Sequence, residues 1–231
     1  MKRILLLGGA GEVGEGIVRQ LLEQGHFVIA QSRSGTRLAE LAERLGSPTN
    51  LATAIGDINT EDAALKLSRS DATRDLGAVV ASIGSWWSGP RLVDLKLAAY
   101  QQVMDERLTT HFIAAKTFLP LLAERPGSSY TFIHGASGFI PIPNSGPVSI
   151  AGAAQVMLKD VLAKEMESAQ VRINLLSMMS SISTRSHPSL DPESISADDV
   201  GAYVSYLVSD AAQGVRGQTI KLSHRREIPI L

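Results

Sequence analysis

The chain has 231 residues, 44% hydrophobic and 19% charged, with a formal net charge of −1. That balance suits a soluble α/β domain with an ample buried core, and it argues against nucleic acid or an anionic membrane as the main partner. With no cysteine in the chain, disulfides, zinc fingers and a thiol nucleophile are excluded.

The N-terminal run Met1–Leu7 has a basic start and an apolar stretch, but glycines and charges follow at once. It is too short for a signal segment or a membrane span, which leads to the expectation of a cytoplasmic protein. Short β-type runs are expected at 3–8, 27–32, 51–55, 78–82, 129–134, 171–176 and 219–222. Helical stretches are expected at 13–24, 36–45, 60–70, 97–124, 149–168 and 198–209. The first helix carries Val13, Ile17, Leu21 and Leu22 on one face, and Gly25 stands where a C-cap glycine belongs. Runs such as "ILLL" and "FVIA" are continuously apolar, as parallel strands buried on both faces require. The alternation implies one doubly wound parallel sheet of Rossmann type, three layers α/β/α, in a single domain over 1–231. Residues 180–197 are polar, contain two prolines and read as a long loop near a ligand site.

"LLLGGAGEVGEG" places Gly9, Gly11 and Gly14 in a GxGxxG spacing between the first strand and the first helix, with Gly8 just before. Glycines let the backbone approach a pyrophosphate, which the N–H groups of the helix start then receive. A plain tight turn would look the same. Glu12 and Glu15 would repel that pyrophosphate if turned inward, or act only on the helix dipole if turned outward. At the end of the second strand no acid is available for a ribose 2′-hydroxyl. Ser32, Arg33 and Ser34 stand there instead and suit a 2′-phosphate, pointing to NADP(H) rather than NAD(H).

These features resemble the short-chain dehydrogenase/reductase family along nearly the whole chain. "AIGDIN" is similar to the segment whose Asp contacts adenine, which implies roles for Asp57 and Ile58. "VVASIG" stands where the family has Asn-Asn-Ala-Gly, so Ala81, Ser82, Ile83 and Gly84 are expected beside the cofactor. "VRINLLSMMSSIST" resembles the sixth strand and the loop behind it, with Met178-Met179 in place of Pro-Gly and Thr184 able to reach a carboxamide. The resemblance also locates the family's catalytic Ser, Tyr, Lys and Asn. In this sequence those positions hold Gly135, Val148, Gly152 and Arg107. None of the first three has a titratable proton, so the family's acid–base step lacks its groups.

Substitutes near that site are His134, Ser137, Ser149, Arg107 and His111. His134 could move a proton or simply hydrogen-bond to backbone. Arg107 and His111 share a helix face and Arg107 could fill the space left at Gly152. Trp86 and Trp87, with Gly135 and Val148, suggest a pocket for an unidentified small molecule. The small-residue run 151–154 implies a close approach by a cofactor or a second subunit, and a homodimer or homotetramer through helices 97–124 and 149–168. The five histidines show no metal-ligand spacing. Three readings stay open: a dinucleotide-binding sensor or subunit, an active NADPH-dependent oxidoreductase with an unusual proton donor, or an interaction protein that has lost the cofactor.

Overall fold

The computed structural model describes residues 1–229. Seven strands form one parallel sheet in the order β3-β2-β1-β4-β5-β6-β7. They are β1 (Arg3–Leu7), β2 (Phe27–Ser32), β3 (Leu51–Ile55), β4 (Ala78–Ala81), β5 (Ser129–Gly135), β6 (Arg172–Met178) and β7 (Thr219–Leu222). The helices are α1 (Glu12–Glu23), α2 (Gly35–Arg44), α3 (Glu61–Ser68), α4 (Leu97–Met104), α5 (Thr110–Leu122), α6 (Gly146–Glu165) and α7 (Ala197–Val208).

Strand β1 shows why its run is wholly apolar. Ile4 and Leu6 join the core under α1, α2 and α7, whereas Leu5 and Leu7 join the core under α3, α5 and α6. Each residue is fully buried, so neither face of β1 tolerates a polar side chain. Burial of each such side chain contributes roughly 1.5–3 kcal/mol. The first core is closed by α1 and α7, which touch backbone to backbone. A Cβ on Gly16 would run into the backbone of Ala197, and one on Gly201 would lie 2.5 Å from the carbonyl of Gly16. Local signals set the helix starts. Ser34 and Thr60 cap α2 and α3, and Ser196 with Asp199 forms a reciprocal capping box at α7.

Two expected helices are corrected. The stretch 97–124 is not one uniform helix: α4 and α5 are separated by a π-helical turn, Asp105–Thr109. Across the wider turn the carbonyl of Asp105 accepts from the backbone N–H that closes it and, at 2.8 Å, from the Thr110 hydroxyl. The helix expected from residue 149 begins at Gly146, because Pro147 fits a first turn that needs no intrahelical N–H donor. The loop over 180–197 holds only one bridge, Ser183 to Ser196, before α7 begins.

Candidate cofactor cleft and adjoining cavity

The C-terminal ends of β1, β4, β5 and β6 lie side by side and hold the glycine turn, residues 81–84 and residues 134–135, while residues 32–34 lie at the end of β2 and Asp57 follows β3. Gly8 has φ +78° and packs directly on the carbonyl of Ser82, joining the first and fourth strand ends. A Cβ on Gly14 would sit 2.5 Å from the carbonyl of Gly8, so the helix can start this close to the strand only with glycine there. Gly11 is the N-cap of α1 and no side chain caps it. The N–H groups of the first turn are thus left for an anion. Gln31, which sequence reasoning missed, fixes this loop. Its Oε1 accepts from Gly8 N at 3.2 Å and its Nε2 donates to the Gly56 carbonyl at 2.6 Å. Only its burial inside an apolar strand could have flagged it.

At the end of β2, Arg33 is exposed and forms no ion pair among the described residues. Ser32 and Ser34 are occupied locally. Ser32 Oγ accepts from Ser34 N, and Ser34 Oγ caps Arg37 N, both at 3.2 Å. Asp57 Oδ1 accepts from its neighbours Ile58 N at 2.8 Å and Asn59 N at 3.1 Å. Ile58 is buried in the core, as is Ala81, so neither presents a side chain to a ligand.

The acidic pair near the glycine loop does something neither sequence alternative contained. Glu12 accepts hydrogen bonds from Thr184 at 2.5 Å and from Ser186, with His187 Nδ1 3.5 Å away. The Thr184 bond, followed by His187, holds the Glu12 carboxyl below its ordinary range. Thr184 is therefore committed to Glu12 rather than free for a carboxamide. Glu15, buried, pairs with Arg44 at 3.0 Å, Arg19 at 3.1 Å and Arg185 at 3.7 Å. Together they tie the loop after β6 to the first turn of α1.

Beside this cleft opens a cavity of about 720 Å³. It is lined by Ser82, Ile83 and Gly84 after β4, by His134, Gly135 and Ser137 at β5, and by Val148, Gly152 and Gln155 on α6. Val13, Trp86, Arg107, Met178 and Met179 complete much of the wall. Met178 and Met179 stand where the resemblance expects Pro-Gly, whereas Gln155 had no sequence signal beyond its place near the site. Trp86 stands 63% exposed at the mouth. Trp87 does not line the cavity and packs over Gly89. Ser149 is also outside it, its hydroxyl accepting from Ile142 N at 3.2 Å.

His134 is the centre of the inner wall. Its Nε2 lies 3.1 Å from the Gly152 carbonyl, which can only accept, so Nε2 carries the proton. Nδ1 faces the Ser177 hydroxyl at 3.4 Å. Burial pushes the imidazole down to about 4. A Cβ on Gly152 would fall 2.9 Å from His134 Nε2 and from Gly138 Cα. Within the chain, Gly138 and His134 account for the glycine at 152. The same contacts correct the expectation for Arg107. It does not fill the space at Gly152; its Nη1 lies 3.2 Å from where a Gly84 Cβ would be. His111, one turn on, is fully buried, stacks on Phe132 and meets the Ile83 carbonyl at 3.3 Å. Burial pushes its imidazole to about 4 as well. No helix among the described residues is long and apolar enough to cross a membrane.

A doubly wound parallel sheet with a glycine turn at its first strand and a cavity at the strand ends defines a dinucleotide-fold protein. The comparisons narrow this. Residues 8–223 match the family model described as enoyl-(acyl carrier protein) reductase, and the chain belongs to the short-chain dehydrogenase/reductase family. It is similar to mouse dehydrogenase/reductase SDR family member 4, 22% identical over 95% of this chain and 85% of the relative. A Serratia marcescens short-chain dehydrogenase/reductase superposes with TM-score 0.84 at 16% identity, covering 96% of each chain. A Pseudomonas aeruginosa short-chain oxidoreductase described as containing an atypical catalytic center superposes equally well, TM-score 0.84 at 18% identity, over 95% of each chain.

The two histidines make stability pH-dependent. Both fold with an imidazole near 4, against 6.5 when free, so the unfolded chain binds more protons across that interval. Their contribution is whole above pH 6.5 and drains as pH falls towards about 4. Each withdraws on the order of 1 kcal/mol per pH unit. Urea midpoints measured through this range should fall, and the fall should be shallower in His134→Asn than in wild type. An unchanged slope in that variant would contradict the assignment.

Proposed function

We propose that the protein is an NADP(H)-binding member of its family that does not run the Ser/Tyr/Lys reaction and works as a dinucleotide-dependent sensor or subunit. The observation that carries this reading is Gly152, the position the family's lysine would hold. It is sealed by Gly138 and His134 at 2.9 Å, so no side chain has room there. Gly135 and Val148 supply no proton or polarising group beside it. His134 is a poor replacement donor, since it is neutral and its one N–H is spent on the Gly152 carbonyl.

The residues present fit a dinucleotide. The uncapped first turn of α1 supplies N–H donors for a pyrophosphate. Arg33 is the free cation at the end of β2 for a 2′-phosphate. When bound, the nicotinamide is the group that gives or takes hydride. Glu12, ionised at the start of α1, opposes the pyrophosphate charge, so affinity is expected to be weak to moderate. A second reading, an active oxidoreductase with a non-standard donor, is favoured by one observation: the cavity beside the cleft remains open, with Ser137 and Gln155 on its wall.

Three outcomes follow. Calorimetric titration should give tighter binding of NADPH than of NADH, and Arg33→Ala should narrow that gap. Equal affinity in wild type would remove the argument, and no binding at millimolar levels would leave an interaction protein. Purified protein should show negligible NADPH oxidation with aldehydes, ketones and quinones, because general acid–base catalysis alone supplies about 10²–10⁴-fold. Gly135→Ser with Val148→Tyr should restore little, since Gly152 cannot accept lysine. Robust turnover in wild type would establish the second reading. In solution a homodimer or homotetramer is expected. Leu97 and Phe112 on one helical pair, and Ile150, Met157 and Val161 on α6, leave apolar side chains at the surface. Sedimentation as a monomer at micromolar concentration would count against it.

A further inference from the structure

The cavity beside the cofactor cleft is lined by one permanently charged side chain. No Asp or Glu borders it, and His134, which does, is held neutral by burial. That charge is Arg107. Its guanidinium makes no ion pair within 4.0 Å among the described residues. Its Nη2 is buried and has no hydrogen-bond partner among the described residues. Glu106 acts on it only through space, and its own carboxylate is turned to Gln102 at 2.9 Å. Buried arginine nitrogens are normally bonded, so Arg107 lines the cavity with hydrogen-bonding capacity that the described residues leave unused.

The placement is built rather than incidental. Arg107 sits inside the π turn, a local widening that often marks a functional site in a helix. Gly84, φ +106°, gives it room, since a Cβ there would press on Nη1 at 3.2 Å. The rest of the wall is largely apolar, with Ile133, Ile142, Val148, Met178, Met179 and Ile182. A guanidinium in such surroundings, its charge matched by no carboxylate on the wall, suits a carboxylate ligand.

We propose that this cavity binds an organic carboxylate with an apolar body, and that Arg107 is the residue that recognises it. The inference deepens the dinucleotide reading, since the cavity adjoins that cleft. The rival source of the anion is a phosphate of the dinucleotide itself.

The test is calorimetric titration of the full chain with benzoate and 2-naphthoate and with their neutral amides, with and without saturating NADPH. Wild type should bind at least one carboxylate about 10- to 100-fold more tightly than its amide, the range expected for a charge-assisted pair. Arg107→Gln should abolish that preference and leave NADPH affinity unchanged. Arg107→Lys, which keeps the charge and loses the fork, should retain part of it, and it carries the comparison if the glutamine variant does not fold. Equal affinity of wild type for acid and amide, no binding of either acid at millimolar concentration, or a preference that survives Arg107→Gln would each overturn the proposal. So would loss of NADPH binding in Arg107→Gln together with mutual exclusion of carboxylate and NADPH, which would assign Arg107 to the dinucleotide. Carboxylate binding without any NADPH binding would sink the dinucleotide reading and leave this one standing.

Discussion

The site depends on one close contact between backbones. Helix α6 approaches the end of β5 until Gly152 and Gly138 touch, and His134 bonds the carbonyl of Gly152 at 3.1 Å. Two missing Cβ atoms make that approach possible, because interiors packed to crystal density leave no slack for even one methyl group. From this contact follow the neutral state of His134, the inner wall of the cavity and the absence of space for a long side chain at Gly152. Glycine inside a helix costs about 1 kcal/mol relative to alanine. Here that cost is offset by burial of the helix against the strand end.

A second set of contacts governs the rim. Glu12 and Glu15 stand one turn apart at the start of α1 and draw the loop after β6 towards them, through Thr184, Ser186 and Arg185. Carboxylates suit a helix N-terminus because its N–H groups carry partial positive charge. The same location is where this fold receives a phosphate. Loop and ligand therefore draw on one electrostatic feature. Gln31 works beneath it, linking the glycine turn to the end of β3 by two hydrogen bonds. Glycine turn, second strand and third strand end are thereby joined through one side chain.

Much of the fold was legible in the sequence. Short apolar runs located all seven strands, and the 3.6-residue period located the buried face of the first helix, because burial on a sheet or helix face is a local property of residue order. Continuous apolar runs gave parallel pairing for the same reason. Element ends were less legible. Pro147 at the start of α6 was a readable signal that lay outside the expected range, whereas the π turn at Asp105–Thr109, braced by the Thr110 hydroxyl, left no pattern in the residue order.

Residue order alone determined the fold class, the glycine turn and the chemical emptiness of Gly135, Val148 and Gly152, because the identity of a side chain settles which protons and charges it can carry. The tertiary structure decided which of the remaining polar groups are free. His134, Thr184 and Ser34 all looked available in sequence, yet each is bound to a partner three to 172 positions away. Arg107 looked like half of a helical pair and emerged on a cavity wall as a cation without an ion pair among the described residues. The physical reason is that hydrogen bonding and desolvation depend on neighbours brought together by packing, and such neighbours are seldom neighbours in the chain.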